Sequence, residues 1–239
     1  MGNTITQAAD GSTHSIIGGD GNDVIITSSV DAYRADLSID LGGVGAGGRD
    51  TIKIMNATIS GAGGTYVGGV SNESTLNQTL ADWTAAGSSG TDAITISGFT
   101  VGDGGDQIEY MDGTSAVVIG GYANNVDLTF NNLASLSTHS VIEINATQFQ
   151  QSDPYALLSL ATMLDQLNNV QDGHYYIAVY DGTSASANAF IYAATATEGD
   201  GFDFADVNGA TNGYDQDTVE LIGILTGVGA NNLTSQNFI

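Results

Sequence analysis

Residues 18–26 read Gly18-Gly19-Asp20-Gly21-Asn22-Asp23-Val24-Ile25-Ile26, and their types and spacing suit the capture of a hard cation. Gly18, Gly19 and Gly21 permit a tight loop whose carbonyls converge. Asp20 and Asp23 add carboxylates, and the aliphatic Ile25, two residues after Asp23, enters a core on a short strand. A site built from oxygen ligands alone fits Ca²⁺. Every slot of the nonapeptide G-G-x-G-x-D-x-U-x is filled, with U a large aliphatic residue.

Looser copies recur when each is aligned on its sixth-position Asp. Gly45 to Lys53 carries Asp50 and lies 27 residues after the first copy. Gly87 to Thr95 carries Asp92, Val101 to Glu109 carries Asp103 and Asp106, and Asn212 to Glu220 carries Asp215 and Asp217. Each looser copy also reads as a plain glycine turn leading into a strand. The candidate metal ligands are therefore Gly19, Asp20, Gly21, Asp23, Asp50, Asp92, Asp103, Asp106, Asp215 and Asp217.

The complete copy resembles the repeat of RTX-type calcium-binding proteins, which leave the cell by type I export. Two further stretches carry the same resemblance. Ile96-Ser97-Gly98-Phe99 through Ile108-Glu109 is similar to a segment found near the ends of such proteins. Asp217-Thr218-Val219-Glu220-Leu221 through Phe238-Ile239 is similar to their last strand and terminus. The resemblance implies bound Ca²⁺, an uncleaved C-terminal export signal and a parallel β-roll where copies run in tandem. Residues 27–35 do not continue the repeat, so a full roll is not expected.

The elements that must position these loops are short strands. Gly numbers 33 and Pro 1, and runs rich in Val, Ile, Thr and Tyr recur. They include Val24–Thr27, Thr51–Met55, Ala93–Ser97, Ala116–Ile119, Val126–Phe130, Val141–Asn145, Tyr175–Tyr180, Phe190–Ala194 and Thr218–Ile222. Ser152-Asp153-Pro154 followed by Leu157, Leu158, Ala161, Leu164 and Leu167 predicts a capped helix. Leu76, Leu80 and Trp83 predict a second one. The expected fold is all-β, a β-sandwich or short β-roll-like domain over residues 1–239 with one or two short helices. Two packed lobes, 1–150 and 151–239, are the other division.

Charge narrows the partners. Against 27 acidic residues stand Arg34, Arg49 and Lys53, for a net charge of −24. No surface can neutralise phosphates, which argues against nucleic acid and anionic lipid. Of the acids 22 are Asp, a residue of turns and oxygen-ligand sites rather than of solvated helices. Cys is absent, so neither disulfides nor thiolate metal sites are available, and bound Ca²⁺ would serve as the cross-link. The first residues carry no basic or apolar leader pattern, and no apolar run reaches the roughly 18 residues a membrane helix needs.

Signs of catalysis are sparse. His14, His139 and His174 lack metalloprotease spacing, and no G-x-S-x-G elbow occurs. The carboxylate pairs Glu109 with Asp112 and Glu143 with Asp153 are of a kind that chance supplies among so many acids. His174-Tyr175-Tyr176 resembles a haem ligand group only if its alternation is not that of a buried strand. Edge strands are usually blunted by Lys or Pro, of which the chain has one each, so the ends, Asn3–Ala8 and Leu233–Ile239, are candidates for pairing between copies. The expected role is a secreted, cell-surface bacterial protein that binds Ca²⁺ and polymerises with itself into a layer or fibre. An adhesin or glycan-binding module, using Trp83, Tyr66, Tyr110 and Tyr122, is the alternative.

Overall fold

The structure is a computed structural model that describes residues 2–8, 14–27, 37–42, 48–55, 65–67, 94–112, 115–116, 121–126, 139–144, 146, 171–196 and 218–239. Its described elements are strands and one turn of 3-10 helix, Ser235–Asn237. Both expected helices fall outside the described residues.

Seven strands of the N-terminal half take turns between two sheets. The first sheet holds β1 (Thr4–Thr6), β3 (Val24–Ile26), β5 (Thr51–Met55) and β8 (Gln107–Asp112), all parallel. The second holds β2 (Ser15–Ile17), β4 (Ser38–Asp40) and β7 (Ile94–Ser97), also parallel. Between β5 and β7 in the chain comes β6 (Thr65–Val67), which pairs with a later strand of the second sheet. The described strands between residues 2 and 112 therefore wind as a coil, with each described return to the first sheet made through a glycine-bearing loop. The winding continues past the single complete repeat, although residues 27–35 do not carry the nonapeptide pattern. Loops can differ in length from turn to turn as long as each strand arrives in register.

Register explains why the coil holds. Ile5, Ile25, Ile52 and Ile108 are Cα partners across β1, β3, β5 and β8. Ile16, Ile39 and Ile96 are partners across the facing strands. Ile25, Ile52, Ile108, Ile39 and Ile96 have no exposed surface at all. Each such side chain contributes about 1.5–3 kcal/mol of burial. On β5 burial alternates strictly, with Ile52 and Ile54 inside and Thr51, Lys53 and Met55 facing out.

The second sheet then continues. β7 is followed across the sheet by β14 (Thr218–Leu225), β13 (Ala189–Ala196), β12 (Gly173–Tyr180), β11 (His139–Ile144) and β10 (Gly121–Val126). β6 pairs with the first half of β14. β9 (Ser115–Ala116) closes the far side of the first sheet against β8. Between β12 and β13 the chain turns through Asp181, whose Oδ1 and Oδ2 accept from the N–H and Nδ2 of Asn188 at 2.8 and 2.7 Å. Tyr175 to Tyr180 and Ala189 to Ala194 are buried on both faces, as their continuous apolar runs require. One apolar cluster extends from Ile16 on β2 to Phe238 near the chain end. Among the described residues no helix is long and apolar enough to cross a membrane.

Candidate functional site

The loops that enter β3, β5 and β8 place Asp23, Asp50 and Asp106 each one residue before its strand. In-register pairing therefore puts the three at the same height on successive turns. The N–H of Asp23 donates to Asp50 Oδ1 at 2.8 Å, and the N–H of Asp50 donates to Asp106 Oδ1 at 2.8 Å. Asp106 Oδ2 accepts from the N–H of Thr100 at 2.7 Å. Asp23 Oδ1 accepts from both the N–H and Nδ2 of Asn3, at 2.7 and 3.0 Å. The result is a ladder in which each carboxylate holds the backbone of the preceding turn.

This ladder is buried, with Asp23, Asp50 and Asp106 at 1, 3 and 2% exposure. Burial pushes the Asp50 carboxyl above the usual carboxylate range; the bond from Asp23 N–H opposes this, and repulsion from Asp106 and Asp23 adds to it. Stacked negative charge in a desolvated place calls for compensation. Lys53 does not supply it, being paired with Glu109 at 2.8 Å. The Arg49 guanidinium is in contact with the carbonyl of Gln236, at 3.5 Å.

Asp23 Oδ2 is buried and has no hydrogen-bond partner. It lies 3.2 Å from where a Cβ on Gly18 would stand, with Asp50 Oδ2 at 3.8 Å and the Asp40 carbonyl oxygen at 3.7 Å from the same point. A bare glycine thus faces two carboxylate oxygens and a carbonyl. Oxygen atoms of this kind fit a hard cation such as Ca²⁺. Among the described residues no three acidic or histidine groups form a metal cage by themselves. A Ca²⁺ ion here would draw on Asp23 and Asp50 and complete its shell with backbone carbonyls and water.

Glycine is required at the loop edge for two reasons. Gly19 and Gly21 adopt φ of 84° and 116°, conformations that a Cβ disfavours. A Cβ on Gly48 would stand 1.7 Å from the Gly21 carbonyl oxygen, and one on Gly2 1.7 Å from that of Asn22. Successive turns touch backbone to backbone.

Of the candidate ligands, Asp23, Asp50 and Asp106 are brought together, with Gly19 and Gly21 shaping the first loop. Asp20 and Asp103 are exposed at loop tips outside the ladder. Asp92, Asp215 and Asp217 lie outside the described residues. The strands that follow Asp92 and Asp217 in the chain, β7 and β14, belong to the opposite sheet.

Three participants escaped the motif reading. Asn3 starts the ladder, and its signal is an Asx two residues before a buried-row Ile, as in Asp23 and Ile25. Asn22 Oδ1 accepts from the N–H of Arg49 at 3.1 Å, stitching the same turns one residue earlier. Asn237 seals the far end: its Nδ2 donates to the Asp106 carbonyl at 2.8 Å, and its Oδ1 accepts from the N–H of Gly102 at 3.1 Å. The Ile239 N–H then donates to the Ile108 carbonyl at 3.0 Å. Leu233, Asn237 and Phe238, three of the seven residues of the C-terminal stretch considered for pairing between copies, are buried in their own chain.

The other candidate groups are engaged as well. Glu143 accepts from the hydroxyls of Tyr122, at 2.8 Å, and Tyr180, and from the N–H of Asn231 at 3.0 Å. Asp153 and Trp83 lie outside the described residues, as do the side chains of Tyr66 and Tyr110. Tyr175 and Tyr176 are both 2% exposed, and Tyr176 packs on Phe238 with ring centres 5.0 Å apart.

In comparison with known proteins, no family, no curated protein and no solved structure matches the chain.

Proposed function

We propose that this chain is an extracellular calcium-binding structural protein, exported by a type I route, that self-assembles into a surface layer or fibre. The observation that carries the reading is the unpartnered, buried Asp23 Oδ2 beside Asp50 Oδ2 at Gly18. Two stacked carboxylates with an orphan oxygen are costly when empty and favourable when a divalent cation sits between them. On this reading residues 2–112 are a short β-roll-like coil whose turns are clipped by Ca²⁺ in place of disulfides. The RTX-type resemblance of residues 18–26 supports the cation and export parts. A net charge of −24 supports the assembly part indirectly, because subunits this acidic pack closely only when cations screen them.

Calorimetric titration of Ca²⁺ into chelator-treated protein tests the binding, with thermal melts and electron microscopy run on the same samples. Saturable uptake by the parent and its loss in Asp23→Asn are expected. Occupancy a hundredfold above Kd stabilises by about 2.7 kcal/mol. An identical melt in excess chelator and excess Ca²⁺ overturns the calcium reading. Dispersed single particles at every Ca²⁺ level overturn assembly.

A further inference from the structure

The coil has two unlike ends. Beyond β8 the first sheet is closed by β9 and by the bridge from Phe238 to Ile108, while the second sheet runs on through β14 to β10. At the other end, β1 and β2 each have one hydrogen-bonded neighbour among the described residues, and both edges face the same way. Asn3 O and Gln7 N bond to β3, so in a parallel pair the backbone groups of Thr4 and Thr6 turn outward. His14 O and Gly18 N bond to β4, which likewise turns Ser15 and Ile17 outward. The core also thins here. Ile16 keeps 8% exposure where its row partners keep none, Ile5 is only partly buried, and Ile17 stands 69% exposed.

We propose that two copies of this chain join end to end through these edges, about a two-fold axis normal to the sheets. The axis passes by Ile5 and Ile16. Thr4 then lies opposite Thr6 of the second copy, and Ser15 opposite its Ile17, as hydrogen-bonded antiparallel pairs. Ile5 and Ile16 meet their counterparts and complete both isoleucine rows.

Charge selects a second copy over another partner. Residues 3–8 and 14–17 contain no Asp, Glu, Lys or Arg in a chain of net charge −24. A cationic partner is drawn to the aspartate loops, whereas a like copy meets this neutral end without repulsion. The same axis reverses strand direction, so the aspartate edge of one copy lies beside the opposite edge of the other. A two-fold contact uses the same edges of both copies, so this interface closes on the pair and does not by itself propagate. Two three-residue strands bury little area, so the dimer is weak and concentration-dependent.

The inference rests on the reading of the chain as self-associating and names its first contact. Sedimentation velocity over a wide concentration range, in Ca²⁺ and in chelator, tests it on the parent, Thr6→Pro and Ile17→Lys. Thr6→Pro removes an outward N–H without touching the β3 ladder, and Ile17→Lys alters an exposed side chain that folding does not need. The parent is expected to double in mass with concentration and both folded variants to stay monomeric. If Thr6→Pro fails to fold by circular dichroism, Ile17→Lys decides. Variants that associate as the parent does overturn this interface while leaving self-assembly standing. A parent that is monomeric throughout overturns both.

Discussion

The N–H of Asp23 lies 2.8 Å from Oδ1 of Asp50, a single bond that ties together two turns of chain 27 residues apart. Both residues are almost wholly buried, so the bond cannot be replaced by water. Asp50→Ala should therefore cost about 1–3 kcal/mol, the penalty of a buried unsatisfied N–H, in urea unfolding. Asp50→Asn keeps an acceptor and sheds the repulsion. It should unfold in chelator at or above the parent midpoint, and should gain nothing from Ca²⁺.

The raised Asp50 carboxyl fixes a sign for pH. A folded-state value above the unfolded one means that the folded chain binds the extra proton. In chelator its contribution is fully present below the ordinary carboxylate range and is lost as pH rises through the raised value. Thermal melts of parent and Asp50→Asn across the acidic range should converge at low pH, with the parent falling behind as pH increases. The opposite trend would contradict the burial and repulsion assigned to Asp50.

Two glycines, Gly48 in the coil and Gly223 on β14, separate backbone contact from open packing. Gly48→Ala drives a Cβ to 1.7 Å from the Gly21 carbonyl oxygen, and a cost of about 3 kcal/mol or more is expected. At Gly223 the nearest atoms are side-chain carbons of Ile96 at 3.5 Å and backbone oxygen of Ile94 at 3.8 Å, so Gly223→Ala should change stability by less than about 1 kcal/mol. Paired denaturant curves read the difference directly.

Glu143 fastens the last turn of the chain to β10 and β12 through Tyr122, Tyr180 and Asn231. Glu143→Leu takes the carboxylate acceptor from the buried Tyr180 hydroxyl, while Tyr122 keeps the Leu233 carbonyl at 2.7 Å, and should cost about 1–3 kcal/mol. Limited proteolysis should then cut first within residues 226–239.

Burial, and next the Glu143 carboxylate, push the Tyr122 and Tyr180 phenols above the ordinary tyrosine range. Their stabilising contribution is present below that range and is lost as pH climbs through the raised values. On alkaline titration the phenolate absorbance of these two should appear together with loss of near-ultraviolet circular dichroism. Its appearance while the fold persists would be the contrary result.

Strand content and the first glycine-aspartate loop were legible locally. Runs such as Thr51–Met55 carry β-branched residues with a period of two, and Gly19, Gly21 and Asp23 state their own backbone and ligand chemistry. A nonapeptide pattern could rank Asp23 first, because every slot was filled within nine neighbouring residues.

Partnership between distant residues was not legible in that way. Asp50 and Asp106 join Asp23 because β3, β5 and β8 pair in register, and Asp106 is 56 residues from Asp50. Nothing local separates Asp106 from Asp92, yet one precedes a strand of the first sheet and the other a strand of the second. Asn3 and Asn237 belong to the ladder's two ends for the same reason, neither sitting in a glycine repeat. Sequence by itself determined which residues favour strands and tight turns and where carboxylates fall between them, since those are properties of single side chains and their neighbours. Only the tertiary structure decided which carboxylates stack, because register across a sheet is settled by burying whole isoleucine rows at once.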